Sequence, residues 1–427
     1  MYSVNLRADK GSPKINMTNF YDDLETRLPA LRARAESAAL VSQLIHAKSQ
    51  APFFAALLRD VDCASITSRA ALASLPVTRK SDLAAHQQAA PPFGGLTAVA
   101  PKKLARLFVS PGSIYDPEGR GSDFWRTARA LYAAGFREGD IVHNTFSYHL
   151  TPAGSMFETG AHALGCAVIP AGVGQTELQL ATIAALQPNA YVGTPSFLKL
   201  LLEKSDESSV PITSITKALV SGEAFLPPVR ARLAARGIDA YQAYGSADLG
   251  IIAYESRARE GLIVDEGVIV EIVRPGTGDL VADGEVGEVV VTTFNRDYPL
   301  VRFATGDLSA VLVGASPCGR TNARIKGWMG RADQSTKVRG MFVHPKQIAD
   351  VIKRHPEILR ARLVVNRVDG NDAMTLSCEV AQSSASMGAA VGESMREITK
   401  LRAEIALVTA GALPNDGKVI EDQRVLT

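Results

Sequence analysis

The fold class that this sequence predicts is α/β: a large N-terminal domain of mainly parallel αβ layers with a strand-rich lobe, followed by a small α+β C-terminal domain. Three observations carry that expectation. Strand-like and helix-like segments take turns from about residue 101 to 250, which implies a largely parallel sheet with helices on both faces. From about 250 the texture becomes β, and beyond Gly330 about 95 residues return to a short αβ pattern. The expected organisation is therefore a first domain over 1–330, made of a helical opening (1–100), an αβ core (101–250) and a β-rich lobe (251–330), then a second domain over 331–427.

In chain order, residues 38 to 60 show apolar side chains at helical spacing (Leu40, Leu44, Ile45, Phe53, Leu57, Leu58), broken by Pro52. A strand-like run at Leu107, Phe108 and Val109 opens "VSPGSIYDPEG" (109–119), small and turn-forming thereafter. Next come a helix from Ser122 to Gly135 with Asp123 in its first turn, a strand at Ile141–Asn144, and a helix capped by Thr151 with Pro152 at its first position, ending at Gly165. The rhythm continues with a strand at Cys166–Ala171, a helix opened by Thr176, a strand at Ala190–Val192, a helix after Pro195, a strand at Ala218–Ser221 and a helix over Leu226–Gly237. "GVIVEIV" and "GEVGEVVVTTF", separated by turns such as "RPGTGD", predict the β lobe. "ARLVVNRV" and "MTLSCEV" predict strands in the last part, with a helix from about Met387 to Ile405 and a mobile loop at "SSASMGAAVG" (383–392).

Composition narrows the function classes. The chain has 427 residues, a net charge of +2 and interspersed acids and bases, with no basic run interleaved with aromatics, so nucleic acid is not an expected partner. No window reaches the roughly 18 apolar residues of a membrane span, and Met1–Asn16 is polar, so neither a membrane partner nor a secretory leader is expected and the location is expected to be cytoplasmic. The four cysteines (Cys63, Cys166, Cys318, Cys378) lie far apart, as reduced thiols rather than a disulfide or zinc frame, and the seven histidines include no pair at helical metal spacing.

Ligands in open parallel sheets collect at the carboxyl ends of strands. Three segments there carry chemistry: "VSGEAF" (220–225), "YQAYGSADLG" (241–250) and "PLVRFATGDLS" (299–309). In the last, Thr305 and Asp307 stand at alternate positions and so on one side of a strand, where a carboxylate can accept two ribose hydroxyls. Taken alone, each segment reads more simply as a turn with a solvated acid. Segment 109–119 has two readings as well: Gly112 between Ser110 and Ser113 suits an anion-binding loop, whereas Asp116 and Glu118 would repel phosphate and suit a surface turn.

The order of these segments, with "APFFAALL", "LASLPVTRKSDL", "GFREGDIVHN", "LGCAVIPAGVGQTELQL", "PCGRT", "GRADQSTKVRGMFVHPKQI" and "LPNDGKV", resembles the phenylacetate-coenzyme A ligase branch of the acyl-adenylate-forming superfamily, over about residues 40 to 424. The resemblance implies an ATP- and magnesium-dependent ligase that makes an acyl-adenylate and passes it to coenzyme A, with an aryl or arylacetic acid as substrate. A mobile C-terminal domain serves both half-reactions. By the same resemblance Ser110, Gly112 and Ser113 line the phosphate loop, and Gly222, Glu223 and Ala224 with Tyr241 to Tyr244 enclose adenine and the acyl group. The turn continues through Gly245 and Ser246 to Asp248, which corresponds to a magnesium carboxylate. Asp307 holds the ribose, Arg331 lies beside the nucleotide, and Asp333 is the hinge. Lys418 matches the mobile lysine that neutralises charge at the α-phosphate. Gly340 matches the glycine that the pantetheine arm passes, with Arg339 available for a coenzyme A phosphate. Phe146 and Tyr148 fall where the aryl pocket is lined, and are equally readable as core aromatics.

The sequence departs from the family in three places. The phosphate loop has proline and two acids where the family has a lysine and hydroxyl groups. Ala247-Asp248 replaces Thr-Glu, so the carboxylate sits one methylene shorter. Ser256 stands near a cysteine that some relatives use for zinc, so no zinc is expected. Two other outcomes stay open: transfer of the acyl group to an amine or carrier-protein thiol, and a non-catalytic nucleotide- or acyl-binding protein. A homodimer is the commonest assembly for such a chain.

Overall fold

The computed structural model describes residues 19–424 apart from 111–113, 209, 333–335, 340, 344, 369–370, 383 and 415–417. Its centre is an eight-stranded sheet. Five strands are parallel, in the spatial order Ala167–Pro170, Ile141–Asn144, Ala190–Gly193, Lys217–Val220, Asp239–Ser246. The sheet then continues antiparallel through Gly250–Glu255, Leu262–Val264 and Arg324–Ile325. Strand order reverses at Ile141–Asn144, whose neighbours are the two strands that follow it in the chain, so the switch point where such sheets bind ligands lies beside Asn144.

A four-stranded sheet packs nearby, in the order Thr78–Arg79, Phe303–Ala310, Val286–Thr293, Val268–Val273. Its outer strand joins the helical opening to the β lobe, pairing Thr78 with Phe303 in parallel. Buried Arg302 ties the same two regions, bonding Glu271 and the carbonyls of Ala73, Leu75 and Gly278. The opening helices Pro29–Gln50 and Pro52–Leu57 break at Pro52, as expected, and bury Leu40, Leu44 and Phe54 against the β lobe. Residues 338–420 build an apolar core of their own around Val338, Ile348, Leu376 and Met395, under a sheet ordered Glu404–Thr409, Asn371–Val380, Ile358–Val368, Ile420–Asp422.

Several expected elements are corrected. The helix expected from Ser122 begins at Thr127, because the Asp123 carboxylate accepts from the Thr127 and Ala128 amides and so sits ahead of the first turn. Thr151 does not cap the next helix, Ala153–Ala163, since its hydroxyl bonds back to the Ser147 carbonyl. The loop expected over 383–392 is mostly helix Ala385–Thr399, opened by the Ser384 hydroxyl accepting from Met387. Ile405, expected at a helix end, lies in a strand. Segment 109–119 is no simple turn: Arg106–Ser110 and Ile114–Glu118 form a hairpin with Phe108 opposite Asp116.

Candidate active site

Two clusters of polar side chains gather beside the carboxyl ends of the central strands. The first is built on Phe303–Ala310. The Tyr244 hydroxyl donates to Asp307 Oδ2 at 2.9 Å and reaches Thr305 Oγ1 at 3.3 Å, so Thr305 and Asp307 do share a side of their strand. Trp328 Nε1 and Arg331 Nη1 each approach Asp307 Oδ1 at 3.1 Å. Burial and the Asp307 charge push the Tyr244 phenol well above its ordinary range, so it stays a neutral donor. Both oxygens of Asp307 are engaged, and its side chain keeps 15 % exposure, enough for a ligand to meet it.

The second cluster surrounds Asp248. Lys80 Nζ is 2.5 Å from Asp248 Oδ2, and the Ser246 hydroxyl is 3.3 Å from the same oxygen. The parallel pairing of Thr78–Arg79 with Phe303–Ala304 delivers Lys80 to this position. Oδ1 of Asp248 is buried with no hydrogen-bond partner among the described residues. Asp116 is buried too; burial first and then the charge of Asp248 push its carboxyl up to about 7. Magnesium prefers oxygen ligands and often binds proteins through one or two carboxylates. A buried carboxylate oxygen without a partner fits that ion, so Asp248 with Ser246 is the place that would hold it.

Beside the strand ends stands a group of aromatic side chains. Phe146 stacks on Phe157 with centroids 4.6 Å apart. Gly222 has φ +85°, and a Cβ there would sit 3.7 Å from the Phe146 ring and 3.6 Å from Thr194. Phe146 and Gly222, 76 positions apart in the chain numbering, are therefore neighbours. The Tyr148 hydroxyl accepts from Asn144 Nδ2 at 2.8 Å. Glu223 accepts from the Ser196 amide at the start of helix Pro195–Ser208, and Ala224 is exposed beside it. A Cβ on Gly245 would lie 2.5 Å from the Gly250 carbonyl, so only glycine permits that close hairpin.

Other expected residues lie elsewhere. Tyr241 faces the opposite side of its strand from Tyr244: its hydroxyl bonds Asp239 and Arg259 covers its ring, because residues three apart in a strand point to opposite faces. Arg339, at φ +50°, is turned onto the Asp372 carbonyl. Lys418 is exposed in a groove with Arg274, Glu285, Arg360 and Arg362, none of which belongs to the Asp307 cluster. Ser110 ends its strand, buried, with its hydroxyl towards the Ile114 carbonyl. Gly112, Ser113, Asp333 and Gly340 lie outside the described residues. Sequence reasoning missed Lys80, Trp328 and Tyr298, and neither of its two readings of segment 109–119 placed Asp116 beside Asp248. The signal for Lys80 was present only as a letter within "VTRKSDL", since nothing local tells which strand Thr78 pairs with.

Residues 123–295 match the family model described as AMP-binding enzyme. The chain is 32% identical over 331 residues to a phenylacetate-coenzyme A ligase of Aromatoleum evansii, covering 74% of this chain and 73% of that one. It is 31% identical over 382 residues to the phenylacetate-coenzyme A ligase of Thermus thermophilus, covering 85% and 84%. A solved structure of 2-hydroxyisobutyryl-CoA ligase with 2-HIB-AMP and CoA superposes with a TM-score of 0.70 at 23% identity, over 98% of this chain and 96% of that one, a likeness of fold.

Proposed function

From the premise that the chain belongs to the phenylacetate-coenzyme A ligase family, we propose that it joins an aryl or arylacetic acid to coenzyme A with ATP, through an acyl-adenylate, releasing AMP and pyrophosphate. It is an AMP-forming acid-thiol ligase. The observation that carries the site assignment is the wiring of Asp307: Tyr244, Trp328 and Arg331 orient one partly exposed carboxylate beside the strand ends. A carboxylate so held accepts two ribose hydroxyls and fixes the α-phosphate relative to the acyl group that Phe146, Tyr148 and Gly222 would meet. The acid's carboxylate oxygen then bonds the α-phosphorus as the bond to the β-phosphate bridging oxygen breaks. In the second step the thiol sulfur bonds the acyl carbon and AMP leaves.

Magnesium, when bound, supplies charge neutralisation at the phosphates. Asp248 and Ser246 would hold it, and Lys80 keeps the Asp248 carboxylate oriented. Lys418 serves adenylation after the C-terminal domain, from 331 onward, rotates about a hinge near Asp333; in the arrangement described here it lies in the groove beside Arg274. Such a rotation moves a whole packed unit, consistent with the independent core around Val338 and Met395. A cytoplasmic location belongs to the same reading, with all four cysteines free and buried.

Acid-dependent ATP/pyrophosphate exchange with pooled aryl and arylacetic acids tests this, followed by AMP release on adding coenzyme A. Exchange with a coenzyme A-dependent burst is the expected result. Exchange without the burst means an amine or carrier thiol is the acceptor, and no exchange across the panel means a binding protein, the reading that the acids of segment 109–119 favour. Lys418→Ala should abolish exchange and spare thioester formation from supplied acyl-adenylate; equal loss in both half-reactions would remove the role given to Lys418.

A further inference from the structure

Four buried oxygens whose groups act on one another make no well-formed hydrogen bond among the described residues, the Ser110 hydroxyl bearing only on Asp116: both of Asp116, Oδ1 of Asp248 and the Tyr298 hydroxyl. Their residues are 0%, 3% and 2% exposed. Leaving a buried polar group unpaired costs the desolvation of that group, more for a charged one, so native proteins rarely keep several together without a use. The groups act on one another. Asp248 and Lys80 both bear on Asp116, and both carboxylates bear on the Tyr298 hydroxyl. Lys80 is committed to Oδ2 of Asp248, with Ser246 on the same atom, and among the described residues only the Ser110 hydroxyl bears as a donor on the other three carboxylate oxygens, through Asp116.

The charge count points the same way. Two carboxylates face one ammonium, so the cluster is one positive charge short when both acids are ionised. A donor set made only of oxygens selects a hard divalent cation rather than a soft one. We propose that Asp116 and Asp248 together bind one divalent cation of the magnesium class, even without nucleotide, with the Tyr298 hydroxyl donating to a carboxylate oxygen left outside the ion. The inference rests on the proposed reading of Asp248 as the carboxylate that faces magnesium, and adds Asp116 as its partner. It also resolves the departure in segment 109–119. Where the family's loop carries a lysine, this chain carries an acid that recruits a doubly charged ion; the cluster then bears a net positive charge towards phosphate, and Asp116 no longer repels it.

The test uses Mn2+ alone as the probe, with free Mn2+ read from its EPR signal during titration of the full chain without ATP. Wild type should bind one ion. Asp116→Asn and Asp248→Asn should each weaken binding by about tenfold or more, while Asp206→Asn, a surface carboxylate paired with Arg236, keeps wild-type affinity. Lys80→Met should tighten binding a few-fold, since it removes a competing cation; a merely structural role for the cluster would not move affinity in that direction. Wild-type affinity in Asp116→Asn, or no Mn2+ bound by wild type at millimolar concentration, would overturn the inference. Exchange activity is scored separately: Mn2+ binding without any acid-dependent exchange leaves this site standing and removes the ligase reading, and the converse removes only the site.

Discussion

Asp307 and Asp116 are two carboxylates beside strand ends, equipped in opposite ways. Asp307 has both oxygens bonded, by Tyr244 on one side and by Trp328 and Arg331 on the other, and keeps an open edge. Asp116 is sealed, has no well-formed hydrogen bond among the described residues, with only the Ser110 hydroxyl bearing on it as a donor, and takes up a proton at about 7. The difference separates two ways of meeting a ligand. A carboxylate that must receive neutral hydroxyls is oriented in advance by donors of its own, which lowers the cost of ordering it later. One that must receive a cation gains nothing from such donors, because they would compete with the ion for the same lone pairs.

The comparison can be broken first at Asp307. Asp307→Ala removes the two charge-assisted hydrogen bonds expected to ribose, about 3 kcal/mol together, so exchange at limiting ATP should fall ~100-fold. A loss smaller than about threefold would mean that Asp307 is structural and that the two clusters do not differ in the way described. Tyr244→Phe sharpens the point at lower cost. It leaves the carboxylate and deletes one orienting donor, so the KM for ATP should rise about fivefold, the worth of roughly 1 kcal/mol, and an unchanged KM would show that orientation in advance contributes nothing.

The smallest expected effect concerns protons. The Asp116 carboxyl has its folded pKa raised to about 7 from an ordinary 3.8, so between those values the folded chain holds a proton that the unfolded chain has released. Its penalty on stability is therefore absent below about 3.8, grows as pH rises, and is complete above about 7. In metal-free protein the melting temperature of wild type should drop relative to Asp116→Asn as pH is raised from about 4 to 8. Parallel curves for the two proteins would show that Asp116 is neither sealed nor alone.

Much of the first cluster was legible in the sequence. Alternation along "RFATGDLS" placed Thr305 and Asp307 on one side of a strand, and Tyr244 followed from a strand end in a parallel sheet. Tyr241 was read together with Tyr244, yet strand alternation turns it to the other face, where Asp239 and Arg259 hold it. The second cluster was legible only in part. Asp248 and Ser246 lie in one turn, but Lys80 arrives from 168 positions away and Asp116 from a returning hairpin strand that "IYDPE", with its proline and two acids, does not suggest. The helix "ASMGAAVGESMREIT" was legible from Met387 on, but its opening turn was read as part of a loop: small residues weaken the apolar period there, and the Ser384 cap became visible only with the helix it opens.

By itself the sequence determined the kind and order of the elements, because apolar spacing, prolines and glycines act within a few residues and sheet alternation is a local property. It also determined which chemical groups stand at strand ends. Only the tertiary structure decided which of those ends meet and which groups lose contact with water. Thr78 pairs with Phe303, Lys80 thereby reaches Asp248, and the hairpin at 106–118 carries Asp116 inside. Pairing between distant strands depends on loop closure and shared burial that no local pattern records, and burial sets the proton and cation affinity of a carboxylate.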